Sequence, residues 1–578
     1  MRIVTIRRIS QVFFLVVFLW FCIVATLGPA WYQLRGWPIN WILELDPLTA
    51  IATMLSTGTF YANLAWALLA IVLTLIVGRF FCGFACPLGT IHQFTGWVAR
   101  RGQASAPRVE ANRHRSLQVI KYYLLAFFLV LALMGSVQTG LIDPLPLLHR
   151  SVNLALAPIA DKGLNVLSDV PRFYISVWLI GVVFLVIVGL NLVLPRFFCR
   201  FICPLGALFG LLSRFTPWRI GKISDRCGDC CICEEYCEGA CRPSGKIIGS
   251  ECVLCFNCLD QCPASRVTFA TKPSAAGEVG LPDLSRRGFV VAGTGLAVAA
   301  MWELGGLSGN NRNPSLIRPP GALDEDRFLS RCIRCGQCMR ICPANIIQPA
   351  LLEAGIQGLW TPAIDYRLGR SGCQLNCIAC GQVCPTAALR PLSLDEKLGR
   401  GEFASKGPIR LGTAFVDRTR CLPWAMDRPC LVCHECCPVS PKAIFVRTVF
   451  EPIRDGQGLT ARVQSKGVDM YAPLPPEINL ASGDYYLRVT GQPEKELRRI
   501  IGFSGNRLTL DKPLAVNSGQ VFYEAKVDIM VRLQRPYMDA AKCTGCGMCE
   551  HDCPVSGLRA IRVYSENESR SRSGRLLI

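Results

Sequence analysis

The chain has 578 residues, 51% of them apolar, with 32 cysteines and a formal net charge of +20. That length exceeds one core and calls for several domains. Arg and Lys cluster beside apolar stretches, so the excess charge reads as positive-inside anchoring and excludes nucleic acid as partner. The cysteines fall at ligand spacing, which excludes the disulfide framework of a small secreted protein.

Four apolar stretches, about Gln11 to Gly28, Tyr61 to Val77, Lys121 to Gly135 and Tyr174 to Leu194, have roughly the ~20 residues of a membrane helix. They belong to an internal repeat. Leu45-Asp46-Pro47-Leu48 leads to a helix closing on Arg79-Phe-Phe-Cys82-Gly-Phe-Ala-Cys86-Pro87-Leu-Gly89. Ile142-Asp143-Pro144-Leu145 leads to Arg196-Phe-Phe-Cys199-Arg-Phe-Ile-Cys203-Pro204-Leu-Gly206. Both copies run the same way, which predicts a pseudo-two-fold axis along the membrane normal and cysteine pairs that face each other on the cytoplasmic side. Each pair is expected on one helix face, with the following proline ending the helix. Cys82, Cys86, Cys199 and Cys203 are read as ligands of one further metal centre or as a redox pair of dithiols. The alternative is buried thiols filling helix ends, as for Cys22. Residues 1–216 are thus a four-helix membrane domain with two C-x3-C-P repeats.

Residues 221–267 carry Cys227, Cys230, Cys233 and Cys237, then Cys252, Cys255, Cys258 and Cys262. They resemble a cytoplasmic two-cluster ferredoxin, in which the fourth cysteine of each run serves the other cluster. That implies Cys227, Cys230 and Cys233 with Cys262, and Cys252, Cys255 and Cys258 with Cys237. Glu238 follows Cys237 where proline is usual, and Cys241 stands near enough to replace it; Cys231 is a spare. Residues 268–307 are a linker in which Ser285-Arg286-Arg287-Gly288-Phe289-Val290 looks like a twin-arginine signal before a fifth apolar stretch, retained as an anchor helix.

Residues 321–578 read as an exported domain with four further runs, each closed by proline: Cys332/Cys335/Cys338/Cys342, Cys373/Cys377/Cys380/Cys384, Cys421/Cys430/Cys433/Cys437 and Cys543/Cys546/Cys549/Cys553. The same crossover places Cys332, Cys335 and Cys338 with Cys384, and Cys373, Cys377 and Cys380 with Cys342. It also places Cys421, Cys430 and Cys433 with Cys553, and Cys543, Cys546 and Cys549 with Cys437. Between the last two runs, residues 453–524 alternate in short strands such as Tyr485–Val489 and Arg507–Leu510, a small β insert. The fold class is therefore membrane α-helical, with α+β ferredoxin-like multi-cluster domains and this insert.

Six [4Fe-4S] clusters follow, with structural zinc and a haem at Cys430-Leu-Val-Cys433-His434 as weaker readings. The chain has five histidines; His92, His114 and His149 are expected in interfacial segments or loops. No dinucleotide fingerprint follows a strand, which leaves a lipid-soluble donor. Quinol needs a pocket at the membrane edge with a proton acceptor, for which His92, Asp46 and Asp143 are candidates; for the aspartates the plainer reading is a helix-opening turn.

By these motifs residues 1 to about 267 resemble NapH, and residues from about 280 onward resemble NapG, as though fused. MauN and MauM are similar, and NosR shares the membrane cysteine phrases. The β insert departs from the NapG pattern. The resemblance implies the electron-transfer component of an oxidoreductase system in a bacterial inner membrane. It would oxidise quinol and deliver electrons to a periplasmic reductase or cytochrome. The alternative it implies is an electron-donating maturation or reactivation factor for a periplasmic metalloenzyme.

Overall fold

The computed structural model describes residues 2–25, 39–164, 172–224, 230–279, 313–473, 483–491, 496–514 and 523–570. Cys227, the twin-arginine-like phrase and the fifth apolar stretch lie outside the described residues. The chain forms two units. The first comprises Met1–Leu368, Asn376–Ile409 and Arg570–Arg572, and the second Gly369–Leu375, Arg410–Ser569 and Ser573–Ile578.

The first unit is built on a helical body of α1 (Ile3–Val24), α2 (Pro47–Thr57), α3 (Ala67–Val77), α4 (Pro87–Arg100), α5 (Ile120–Leu133), α6 (Pro144–Ser151), α7 (Val177–Val193) and α8 (Pro204–Leu212). The four apolar stretches appear as α1, α3, α5 and α7. Two helical runs among the described residues, α1 and Ser105–Leu133, are long and apolar enough to cross a membrane, whereas Ala62–Val77, α7 and Pro204–Phe215 are apolar but shorter. Leu48, Leu88, Leu145, Leu148, Leu205 and Phe209 fill the centre of the body, while Phe13, Val72 and Leu185 face outward.

The cysteine phrases differ from expectation. Pro87 and Pro204 do not end a helix; each opens one, as the first residue of α4 and α8. A ring-locked φ and a missing N–H cost nothing in the first turn. Cys86 and Cys203 are therefore N-caps, and their sulfurs accept from the N–H of Gly89 at 3.4 Å and of Gly206 at 3.2 Å. Cys82 and Cys199 sit in the short preceding turns Phe80–Phe84 and Phe198–Ile202. The histidine expectation also fails for two residues. His92 lies in α4 and His149 in α6, both fully buried.

Two ferredoxin-type segments dock on the body at opposite ends of α5. At its start, Lys121 pairs with Glu251, and the Tyr122 hydroxyl donates to the same carboxylate at 3.0 Å. Beyond its end, the Val137 carbonyl accepts from Arg334 at 2.5 Å. The first segment is stitched by antiparallel strands Arg219–Lys222 and Val267–Ala270. Its Glu238 meets Arg7 at 3.0 Å and Arg196 at 2.7 Å. Arg79 donates to the Ser250 carbonyl at 2.8 Å. The second segment pairs Ile347–Pro349 with Pro362–Ile364. Arg150 lies over its Trp360 ring at 4.5 Å, Asn153 donates to Gln337 at 3.1 Å, and Asn40 donates to the Val383 carbonyl at 2.9 Å.

Two glycines make these contacts possible. A Cβ on Gly83 would overlap the Val253 carbonyl, and a Cβ on Gly140 would overlap that of Ile333. Backbone thus meets backbone at both ends of the body.

The second unit carries a β-barrel of β1 (Ile444–Pro452), β2 (Leu459–Val463), β3 (Gly467–Met470), β4 (Tyr485–Val489), β5 (Arg498–Ser504), β6 (Arg507–Leu510) and β7 (Tyr523–Met538). β7 pairs with β2 through 523–527 and with β4 through 527–531. This closes the ring β2–β3–β6–β5–β4–β7, after which β7 continues along β1. The expected insert is therefore larger than its alternating core, because β1 and the second half of β7 extend it on either side. Alternation sends Leu487, Ile500, Leu508 and Val527 inward.

Leu508 is fully buried, so Leu508→Ala should cost the barrel about 2–5 kcal/mol, read as a lowered urea midpoint. At the docking face, the guanidinium groups of Arg7 and Arg196 hold the Glu238 carboxyl below the usual carboxylate range, although burial pushes it the other way. A depressed carboxyl stabilises above its unfolded value and loses that contribution as pH falls through the folded one. Glu238→Gln leaves two buried cations without a counter-charge, a loss of about 3–5 kcal/mol. It should speed hydrogen exchange across 232–262, and acidification of the parent protein below the carboxylate range should do the same.

Candidate iron–sulfur sites

Thiols from separate runs line two cavities in the second unit. One, of about 300 Å³, is bordered by Cys543, Cys546, Cys549 and Cys437. The other, of about 330 Å³, is bordered by Cys421, Cys430, Cys433 and Cys553. These are the two crossed sets that the spacing predicts. The barrel takes part, since Ile444 and Met538, the last rung of the β1–β7 ladder, both line the first cavity. Burial, then the neighbouring thiols, pushes Cys433 and Cys546 up to about 12. Thiols held neutral by one another lose their protons to a cationic iron centre, so the donor set fits a thiolate-ligated cluster.

A third set gathers in the first unit. Burial and the charge of Cys384 both raise the thiols of Cys332, Cys335 and Cys338. The last expected set is divided: Cys373 belongs to the second unit, and Cys342, Cys377 and Cys380 to the first.

Beside the helical body, the Cys258 thiol has Cys255, Cys252, Cys237 and Cys233 as electrostatic neighbours. Cys241 joins this group, with its sulfur 3.5 Å from that of Cys237 and hydrogen-bonded to Cys252 as well. Cys241 and Cys233 thus stand beside the expected four. Cys230 and Cys231 are exposed and Cys233 is buried, while Cys262 accepts from the Arg266 N–H at 3.3 Å.

The four cysteines of the repeat converge. Cys86 has Cys199 and Cys82 as electrostatic neighbours, and Cys203 has the same two. This group backs onto the Cys252 group. Gly83, between Cys82 and Cys86, meets Val253, between Cys252 and Cys255. Arg79 stands beside Cys82 and Cys203 as well as Glu251, and Arg196 beside Cys199, Cys255 and Glu238.

The other predicted residues are placed as follows. Asp46 and Asp143 are fully buried and their carboxyl groups meet. Asp46 also accepts from the Leu48 N–H at 3.0 Å and from Thr49 at 2.8 Å, so it caps α2. His92 hydrogen-bonds Asn191 and stacks on Phe198 at 6.1 Å. His149 packs edge-on against Phe18 at 4.7 Å. The sequence reading missed Cys436, whose thiol donates to the Cys433 carbonyl at 3.5 Å and has Cys437 and Cys546 as neighbours. The C-x2-C-x2-C spacing of Cys430, Cys433 and Cys436 was the signal for it.

Among the described residues, no three His, Cys, Asp or Glu side chains could hold a single metal ion.

Comparison with known proteins agrees with this geometry. A family model described as a 4Fe-4S binding domain matches residues 59–103 and 176–223, one cysteine phrase of the repeat in each, and a 4Fe-4S dicluster domain matches 331–388. The ferredoxin-type protein NapG of Escherichia coli (strain K12) is 33% identical over 178 residues, 30% of this chain and 68% of that protein. The methylamine utilization ferredoxin-type protein MauM of Methylophilus methylotrophus is 31% identical over 188 residues, 31% of this chain and 75% of that protein. Protein NirI of Paracoccus denitrificans is 28% identical over 233 residues, 39% of this chain and 32% of that protein. No solved structure matches the chain. With its thiol-lined cavities and this degree of identity, the chain belongs to the ferredoxin-type iron–sulfur electron-transfer proteins represented by NapG and MauM.

Proposed function

We propose that the chain is a membrane-bound quinol-oxidising component that passes electrons to a periplasmic redox enzyme. The observation that carries this reading is the bracketing of one apolar helical body by two ferredoxin-type segments, with the four repeat cysteines on the side of the first. α1 and the Ser105–Leu133 run have spanning length, and the basic residues at Arg7, Arg8, Arg100, Arg101 and Arg113 favour a cytoplasmic cysteine end by the positive-inside rule. The second segment then faces the periplasm, as does the four-run half of the chain.

Six cubanes are assigned to the six crossed cysteine sets, and a seventh metal centre to Cys82, Cys86, Cys199 and Cys203. Such centres supply one-electron transfer at potentials set by hydrogen bonding and exposure. The protein's part is to hold them apart from water and to balance their charge. Arg79 and Arg196 do the latter between the repeat cysteines and the Cys252 group. In this reading the cytoplasmic-side segment is in line with the route across the body rather than a branch from it.

The test is reduction of the anaerobically purified, detergent-solubilised chain by a short-tail quinol, followed by electron paramagnetic resonance. Cluster signals should develop with quinol alone. Failure of quinol where dithionite succeeds would overturn quinol oxidation. Cys332→Ser and Cys549→Ser should each remove one cluster signal and the matching iron. Unchanged iron in both would sink the ligand sets. Cys86→Ser should lower iron by one further centre, while full iron retention would return that cysteine to a packing role.

A further inference from the structure

A cavity opens where α3 ends and the first ferredoxin-type segment begins. Its wall includes Val77, Arg79, Trp218, Arg219, Cys252 and Leu254. Small-molecule sites are lined mainly by apolar groups with a few convergent polar ones.

Three features say what such a cavity takes. Leu68, Val72 and Ile76 on α3 are exposed, as are Phe215 and Trp218 past α8, so an apolar surface leads to the cavity. Nε of Arg79 and Nε of Arg219 are buried without a hydrogen-bond partner, leaving two donors with nothing to donate to. Cys252 brings a member of this thiol group into the wall. An apolar approach, two donors for carbonyl or hydroxyl oxygens and an aromatic ring beside an electron acceptor match one ligand class.

We propose that this cavity is the quinol head-group site, with Arg79 and Arg219 as the oxygen-binding residues. The assignment rests on the quinol reading above and gives it a place distinct from Asp46, Asp143 and His92. Oxidation there breaks the two O–H bonds of the hydroquinone. One proton goes to the Glu278 carboxylate, which lines the cavity and pairs with Arg219 at 2.8 Å, and the other to water at the mouth. An iron–sulfur cluster held by Cys252 and its neighbouring thiols would take the two electrons one at a time. An anionic lipid phosphate would also find arginines here, but it has no use for the sulfur.

The experiment is photolabelling of the intact chain with an azido-ubiquinone of short tail, with and without unlabelled quinone, and mapping of the label by mass spectrometry. Competed label on 213–220 and 247–254 is expected. Gly249 also lines the cavity, and a Cβ there meets open space. Gly249→Phe should therefore reduce competed label at least tenfold while iron content stays at the parent value. Absence of competed label from both segments of the parent protein overturns the site. If quinol still reduces the clusters rapidly in that case, quinol oxidation stands at another place. If it does not, the quinol reading falls with the site.

Discussion

Burial of positive charge beside sulfur is the constraint on which the first unit depends. Arg7, Arg79, Arg150, Arg196, Arg318, Arg334 and Arg340 are among its largest fully buried side chains. An ion taken out of water costs several kcal/mol unless geometry and hydrogen bonds offset it. Most of these guanidinium groups are answered by a glutamate or a backbone carbonyl of a ferredoxin-type segment: Arg7 and Arg196 by Glu238, Arg79 by Ser250, Arg150 by Arg334. The helical body therefore cannot be satisfied alone. Its ends are completed by the segments, and the segments are held in register by the arginines. Thiolate-ligated clusters bound at the same places would add negative charge there, and loading would then reinforce docking.

The repeat gives this arrangement an approximate symmetry that the docked segment then breaks. Arg79 and Arg196 are equivalent in the two phrases, as are Asp46 and Asp143, and the second pair meets in the buried interior. The first segment is not a repeat of the same period, yet it offers Glu251 just before Cys252 and Glu238 just after Cys237. One acid therefore answers the arginine of each phrase. This also explains Glu238 where ferredoxin runs usually carry proline: the position is committed to two cations.

Local chemistry was legible in the sequence and long-range packing was not. Cysteine spacing, through the crossover of fourth ligands, names the cysteines that line both cavities of the second unit. Alternation found β4 and β6 at their observed limits. The prolines after Cys86 and Cys203 were misread because proline is a helix breaker in the interior and a helix starter at the first turn; only the chain that follows distinguishes the two. His92 and His149 were misplaced for a related reason, since a polar residue gives no local sign that neighbouring helices will cover it. Gly83 and Gly140 gave no sign of backbone docking, because the partner carbonyls lie more than a hundred residues away. The ring closure of the barrel depends on one strand long enough to serve three neighbours, which a window of short strands conceals.

The short helices have a mechanical consequence. With 17 residues, α7 is about 25 Å long, against a hydrocarbon core of about 30 Å, and α3 is shorter still. The ferredoxin-type segments cap both ends of the body, so it cannot lengthen by sliding its helices. Any change in the distance between the two segments must therefore be taken up in the docking contacts at Gly83 and Gly140 rather than in the helices, which makes the body a spacer of fixed length.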